Sequence, residues 1–420
     1  MEESQWLPGP ALAERQWRQV ALLARHAAGL DFWRRRFADA AFVPDDPDPR
    51  AFARIRPLRR ADIQDLGTAL HLAPPEGHGP VAGGSTTGST GAPIAFLGTG
   101  ITYRIWQAMT LQDHAWHRRD PGLFHAFIRP GAREDHDTWG PPTDLLHATG
   151  RSSRFPSSEP VAAQWEWLAR ANPDYLLTLP SNLADLIAEG RRCGQRLPAL
   201  RQVRTVGEVV SADLRRQVSE HWGVRIADLY SASEIGYLAL ECPEFEGRYH
   251  VQAEGVLLEV LREDGHPCGA GEVGEVVVTS LHNYAMPLIR YAIGDYAEVG
   301  APCPCGRGLP VLERILGRVR NMLTLPDGGR RWPLFGLNQF PDIPIRQYRV
   351  VQKDPVHLEV HLVCERGLSE SEEAAIRDTL HRRLHPDFAV AFRYPADLPR
   401  NAGGKFEDFV NECPDGRTEG

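Results

Sequence analysis

The chain has 420 residues, 42% hydrophobic and 24% charged, the composition of an ordinary globular protein with room for a large core and two domains. Its net charge of −8 argues against a dedicated nucleic-acid or membrane-surface protein, and no apolar run approaches the roughly 18 residues of a transmembrane helix. The N-terminus, MEESQWLPGP, is acidic where a secretory leader is basic and then apolar, so a cytoplasmic setting with reduced cysteines is expected.

From Glu14 to Leu30 (ERQWRQVALLARHAAGL) apolar residues recur at helical spacing, and Gly29 supplies a stop. Gly83–Pro93 (GGSTTGSTGAP) carries four glycines and five hydroxyls in eleven residues, with no charge. Such a run is either a flexible linker or an anion-binding cradle of free N–H groups and hydroxyls. It is not a Walker-type loop, which needs a lysine after its last glycine. Lysine is scarce throughout: of 47 basic residues only Lys353 and Lys405 are lysines, and the remaining 45 are arginines. A position that kept a lysine is therefore marked as one that wants a compact point charge.

The middle of the chain alternates strand and helix signals. Tyr175–Thr178 reads as a strand, and Ser181 as the cap of a helix ended by Gly190. Val203–Val206 follows as a strand, then Ser211 caps ADLRRQVSEHW, Gly223 ends it, and VRIADLY is the next strand. This rhythm predicts an α/β domain with a substantially parallel sheet, whose ligands bind at strand ends. Gly207–Glu208 and Tyr230–Glu234 lie at such ends. After about Gly317 the pattern changes to strands at Gln347–Gln352 and His357–Val363, a helix opened by a Ser369/Glu372 capping box, and a strand FAVAFRY. That predicts a small α+β unit, dividing the chain into a large domain, 1–317, and a small one, 318–420.

Four further segments offer chemistry, each with a plainer reading beside it. YSASE (Tyr230–Glu234) presents an aromatic face and a metal-binding carboxylate, or is an ordinary strand-to-loop turn. Gly294–Asp295, in IRYAIGDYAEVG, offers a carboxylate from a tight turn to a ribose diol, or is a hairpin turn. ILGRVRNML (Ile315–Leu323) is a functional junction or a linker, and PRNAGGKFEDF (Pro399–Phe409) places Lys405 after a double glycine or is a frayed tail.

In this order the segments resemble the motifs of the adenylate-forming superfamily of acyl-CoA ligases, luciferases and adenylation domains, in particular its phenylacetate–CoA ligase-like branch. TTGSTGAP matches the phosphate loop, YSASE the Tyr/Glu motif, PLIRYAIGDYA the ribose motif, ILGRVRNML the hinge and PRNAGGK the terminal lysine motif. The resemblance runs from about residue 55 to 410 and implies a large α/β domain with mixed sheets beside a small α+β C-terminal domain. It implies that Thr86, Thr87, Gly88, Ser89, Thr90 and Gly91 hold the ATP triphosphate. Gly207, Glu208, Tyr230 and Ser231 would frame the adenine, and Asp295 and Arg318 would hold the ribose. Glu234 would sit on Mg²⁺, and Lys405 would be the catalytic lysine. The chain departs from the family at Asn321, where the hinge usually has aspartate, at Ser231 and Ala232, and at Ile94, where relatives outside this branch carry lysine.

Cysteines add a further group. Cys242 and His250 flank the segment after YSASE, and Cys303 and Cys305 follow the ribose motif. Three thiolates and an imidazole make a closed zinc set, with Cys268 as a rival fourth ligand and free reduced cysteines as the alternative. Members of the resembled family carry a Cys/His cluster at these positions. The implied activity is ATP-dependent activation of a carboxylic acid, aromatic by family precedent, and transfer of the acyl group to coenzyme A. Alternatives are transfer to an amine or to a carrier protein, or an inactive nucleotide-binding regulator. The partners implied are small molecules, with no nucleic acid or membrane and with a homodimer allowed. Trp106, Trp116, Trp139, Trp165 and Trp167 are candidates for an aryl pocket or for core, and His147 for the site or for a plain surface histidine.

Overall fold

The computed structural model describes residues 1–86, 93–318, 322–331, 343–364, 366–398, 406 and 408–413. The segments 87–92, 319–321 and 399–405 lie outside it. They include Thr87, Gly88, Ser89, Thr90 and Gly91 of the phosphate loop, Asn321 of the hinge, and Lys405.

Four helices open the chain: α1 (Gly9–Ala27), α2 (Asp31–Asp39), α3 (Pro49–Arg54) and α4 (Arg60–Leu66). The first starts five residues before the expected Glu14. Pro8–Gly9–Pro10 reads as a breaker, yet proline is tolerated in a first turn whose N–H groups have no partner. A hairpin, β1 (Val81–Ser85) with β2 (Ala95–Thr99), then carries the glycine/hydroxyl loop at its tip. It leads into α5 (Gly100–Trp116).

One 12-stranded sheet dominates. Its parallel half is built from β3 (His125–Arg129), β5 (Ser152–Pro156), β6 (Tyr175–Thr178), β7 (Gln202–Val206) and β8 (Arg225–Ala232), with β4 (Glu134–His136) on the outer edge. Helices α6 (Val161–Ala171), α7 (Pro180–Arg192) and α8 (Ala212–Trp222) pack on it. The expected caps divide here. Ser211 accepts from Leu214 N and Gly223 closes α8 at φ 70°, as read, whereas α7 has Leu179 at its N-cap and runs past Gly190 to Arg192. Pro180 opens that helix, and Ser181 is engaged elsewhere.

The antiparallel half comprises β9 (Gly236–Glu241), β10 (Tyr249–Val251), β11 (Val256–Leu261), β12 (Val273–Ser280), β13 (Tyr291–Val299) and β14 (Val311–Arg318), in the spatial order β11-β12-β13-β14-β10-β9-β8. Its core is continuous with the N-terminal helices through Leu23, Trp33, Phe52, Leu58, Val276 and Tyr291, all nearly inaccessible. After a two-residue pair, β15 (Leu323–Thr324) with β16 (Arg330–Arg331), a separate four-stranded sheet forms. It consists of β17 (Ile345–Asp354), β18 (His357–Cys364), β19 (Ala389–Arg393) and β20 (Phe409–Asn411). Helix α9 (Glu370–Arg383) has the expected capping box and lays Ile376 and Leu380 against Leu358, Val360 and Leu362. Among the described residues no helix is long and apolar enough to cross a membrane.

Candidate active site

Strand β13 bends where the carboxylate is needed. Ala292 pairs with Val277 and Tyr296 with Glu275, so Ile293, Gly294 and Asp295 stand opposite Val276 alone. Gly294 takes φ 84°, a conformation that costs little without a Cβ. The expected tight turn is therefore a bulge inside a strand, a device that re-aims one side chain. Asp295 lies in register with Arg318 of β14, whose Nε stands 3.4 Å from Oδ1. Tyr230, at the end of β8, donates its hydroxyl to Asp295 Oδ2 at 2.9 Å. Burial first, then the Asp295 carboxylate, holds that phenol well above its ordinary value, so it remains a donor. The ring is 7% exposed. Ser231 follows it in β8, paired with Tyr237 across a bulge.

Glu234 sits in the short turn between β8 and β9. Tyr291 donates to its Oε1 at 3.2 Å, and burial followed by the Glu234 carboxylate pushes that phenol up. At the base of the glycine/hydroxyl loop, Thr86 N donates to Ile94 O at 3.0 Å, and Ile94 N donates to Thr86 Oγ1 at 3.0 Å. Arg60 reaches from α4 to Thr86 Oγ1 at 3.4 Å. Glu208 follows Gly207, which has φ 85°. Its carboxylate accepts from Ser181 N, Ser181 Oγ and Phe406 N. Thus Tyr230, Asp295 and Arg318 meet directly. Glu234 is joined by Tyr291, a residue of the ribose segment that carries no role in the sequence reading, and Thr86 by Arg60, which no motif contains.

Cys242, His250, Cys303 and Cys305 form a second cluster, with one ligand atom from each lying within 4.8 Å of every other. Cys268 is not a member. The Cys242 and Cys303 sulfurs are 3.8 Å apart, and Cys305 Sγ is 3.3 Å from His250 Nε2. Two thiolates bound at 2.3 Å to one tetrahedral ion would stand about 3.8 Å apart, so the donor set and its spacing fit zinc. Burial pushes the Cys242 thiol up to about 12, a cost that a bound cation would offset. The same loop is braced from the N-terminus. The Arg307 guanidinium lies between Trp6 and Trp116, 4.8 and 4.7 Å from their ring centroids, and donates to Gln5 Oε1 at 2.9 Å. A Cβ on Gly308 would stand 1.8 Å from Leu7 O, so only glycine permits that approach.

The tryptophans do not make one aryl pocket. Trp165 and Trp167 are core, Trp116 belongs to the Arg307 brace, and Trp139 packs on His125 and Tyr175. Trp106 is 40% exposed and stacks on Tyr103 at 5.9 Å, beside Tyr237 and Gly236 at the Glu234 turn. His147 is a surface residue.

Residues 146–285 match the family described as AMP-binding enzyme. The chain is 29% identical over 277 residues to the phenylacetate-coenzyme A ligase of Thermus thermophilus, a match covering 57% of this chain and 60% of that protein. It is 27% identical over 169 residues to the fumarate–(S)-2,3-diaminopropanoate ligase of Enterobacter agglomerans, covering 38% of this chain and 41% of that one. These matches thus span less than two thirds of either relative. A 2-hydroxyisobutyryl-CoA ligase, solved in its postadenylation state with an acyl-adenylate, superposes with a TM-score of 0.77 at 18% identity, covering 97% of this chain and 90% of that one. The chain is thus similar to AMP-binding enzymes over that stretch, with phenylacetate-coenzyme A ligases among its relatives.

Proposed function

We propose that the chain activates an organic acid with ATP, forming an acyl-adenylate and pyrophosphate, and then passes the acyl group to the thiol of coenzyme A. The observation that carries this reading is the meeting of Tyr230, Asp295 and Arg318. It offers a fixed carboxylate, flanked by two donors, to the two hydroxyls of a ribose. Thr86, with Thr87, Gly88, Ser89, Thr90 and Gly91 beyond it, supplies hydroxyls and N–H groups for the triphosphate. Gly207, Glu208 and Ser231 line the adenine, and Glu234 is the carboxylate suited to Mg²⁺. Lys405 stabilises charge as the acid's oxygen bonds to the α-phosphorus and pyrophosphate leaves. In the second step the thiol sulfur bonds to the acyl carbon and AMP departs. Residues 1–317 act as the adenylation domain and 318–420 as the small domain. Zinc at Cys242, His250, Cys303 and Cys305 is structural, since four protein ligands leave no open position.

The exposed Tyr103–Trp106 stack beside the Glu234 turn supports an aromatic acid, because a flat acyl group packs on such a face. The Enterobacter relative supports a second reading, in which an amine accepts the acyl group. Acid-dependent ATP–pyrophosphate exchange, with phenylacetate, benzoate and 2-hydroxyisobutyrate offered in turn, tests the shared first step. No exchange with any acid overturns both readings. Product analysis with coenzyme A or 2,3-diaminopropanoate as acceptor then separates thioester from amide.

A further inference from the structure

Glu208, which the functional reading places beside the adenine, is also held by the protein itself. Its Oε2 accepts from the backbone N–H of Ser181 at 2.8 Å, and its Oε1 accepts from Ser181 Oγ at 3.0 Å. Oε1 also accepts from the backbone N–H of Phe406 at 2.7 Å, across 198 residues of sequence. Phe406 follows Lys405 in the chain and precedes β20 of the small sheet. Its ring carries the Arg349 guanidinium of β17, 5.0 Å from the centroid. A second contact runs parallel to the first: Gln347 of β17 donates to Asp185 of α7 at 3.4 Å. Helix α7 thus supplies both the donors that orient Glu208 and the acceptor for Gln347.

The chemistry suits a tether that must form and break. An ionised carboxylate accepting a main-chain N–H makes a charge-assisted bond. It fixes the path of the backbone itself, whichever side chain stands at 406. When it opens, water replaces each partner, so release leaves no buried charge unsatisfied. Ser181 contributes two donors and so keeps the carboxylate aimed even without Phe406.

We infer that Glu208 is a positioning residue that holds the Phe406 main chain, and with it the small sheet, against the large sheet for adenylation and releases it for the second step. The inference rests on the functional reading above.

The test uses the full chain and two readouts. Hydrogen exchange is followed in the peptide containing the Phe406 amide, and adenylation by acid-dependent ATP–pyrophosphate exchange at varied ATP. Glu208→Ala is expected to speed exchange of that amide and to lower the adenylation kcat, each by about tenfold, the effect of one hydrogen bond to a charged acceptor. The KM for ATP should move by less than the kcat. Ser181→Ala shifts both readouts in the same direction but by less, and Glu208→Gln, which keeps an acceptor oxygen, recovers part of the loss. Unchanged exchange at Phe406 in Glu208→Ala overturns the inference, and so does a loss confined to the KM for ATP, which would mark a nucleotide contact only. Should Glu208→Ala fail to fold, Ser181→Ala carries the same test with the carboxylate in place. A wild-type chain inactive with every acid defeats the functional reading, while the amide exchange still decides the tether.

Discussion

Asp295 meets two protein donors, with its side chain 16% exposed. The carboxylate therefore arrives oriented, and little further ordering is needed when a diol replaces water. Replacing it with alanine should weaken ATP binding by about 2–4 kcal/mol in calorimetry, the loss of two hydrogen bonds to a charged acceptor, with the fold retained. Unaltered affinity would remove Asp295 from the site. Asp228 illustrates the opposite environment. Buried in β8, it accepts from Thr205 Oγ1 at 2.6 Å and Tyr249 hydroxyl at 2.7 Å. Burial, then the neighbouring Glu241 carboxylate, pushes it up to about 7. A carboxyl raised on folding contributes stability that is present in full below its unfolded value of about 3.9 and is lost as pH rises through 7. Urea midpoints should accordingly fall between pH 5 and pH 8, by up to about 3 kcal/mol in stability, and Asp228→Asn should flatten that slope. An identical slope in the variant would assign the dependence to other groups.

The cysteine loop shows how an element is held by parts distant in sequence. Residues 303–309 are pinned by Arg307 between Trp6 and Trp116, and Trp116 also lies edge-on to His250 at 5.7 Å. With zinc at the four ligands, Cys303→Ser together with Cys305→Ser should abolish stoichiometric metal in elemental analysis. Trp6→Ala should leave metal bound but speed its release to a chelator severalfold, because one cation–π face of the brace is gone. Equal release rates would make Trp6 a bystander. The elements that were legible in sequence are those whose ends are fixed locally: Ser211 with Gly223 for α8, and Ser369 with Glu372 for α9. Where a distant partner competes, local reading fails. Ser181 looks like a cap but serves Glu208, and Gly294 looks like a turn but bulges a strand held on both sides. Strand β20 is three residues long and exists only through its parallel pairing with β17. The motifs assigned Tyr230 to the adenine and Asp295 with Arg318 to the ribose, and the fold brings the three into contact. They could not name Arg60, which no motif contains, and they gave no role to Tyr291 or Phe406, whose contacts are spatial.

Across the whole molecule, two sheets must cooperate if one lysine is to serve the first step and withdraw for the second. Lys405→Ala should lower acyl-adenylate formation by about 10²–10³-fold, as expected for removing one electrostatic stabiliser. Thioester formation from a presynthesised acyl-adenylate should fall far less. Lys405→Arg should fail likewise, since a guanidinium is a broad planar group where a point charge is wanted. Equal losses in both half-reactions would contradict a movement about the Gly317 region. The large sheet also has two open ends, and they are treated differently. Strand β4 is only three residues long, Glu134–Asp135–His136, all polar, a poor template for another strand. Strand β11 is longer and aliphatic, but Gln16 of α1 donates to its first carbonyl, Val256 O, and to Ala253 O, both at 2.9 Å. One glutamine thus occupies the place where a strand from another molecule would begin to zip on. If that side chain is shortened, two buried carbonyls lose their donor, and a lower melting point should come with turbidity as the freed edge recruits a strand.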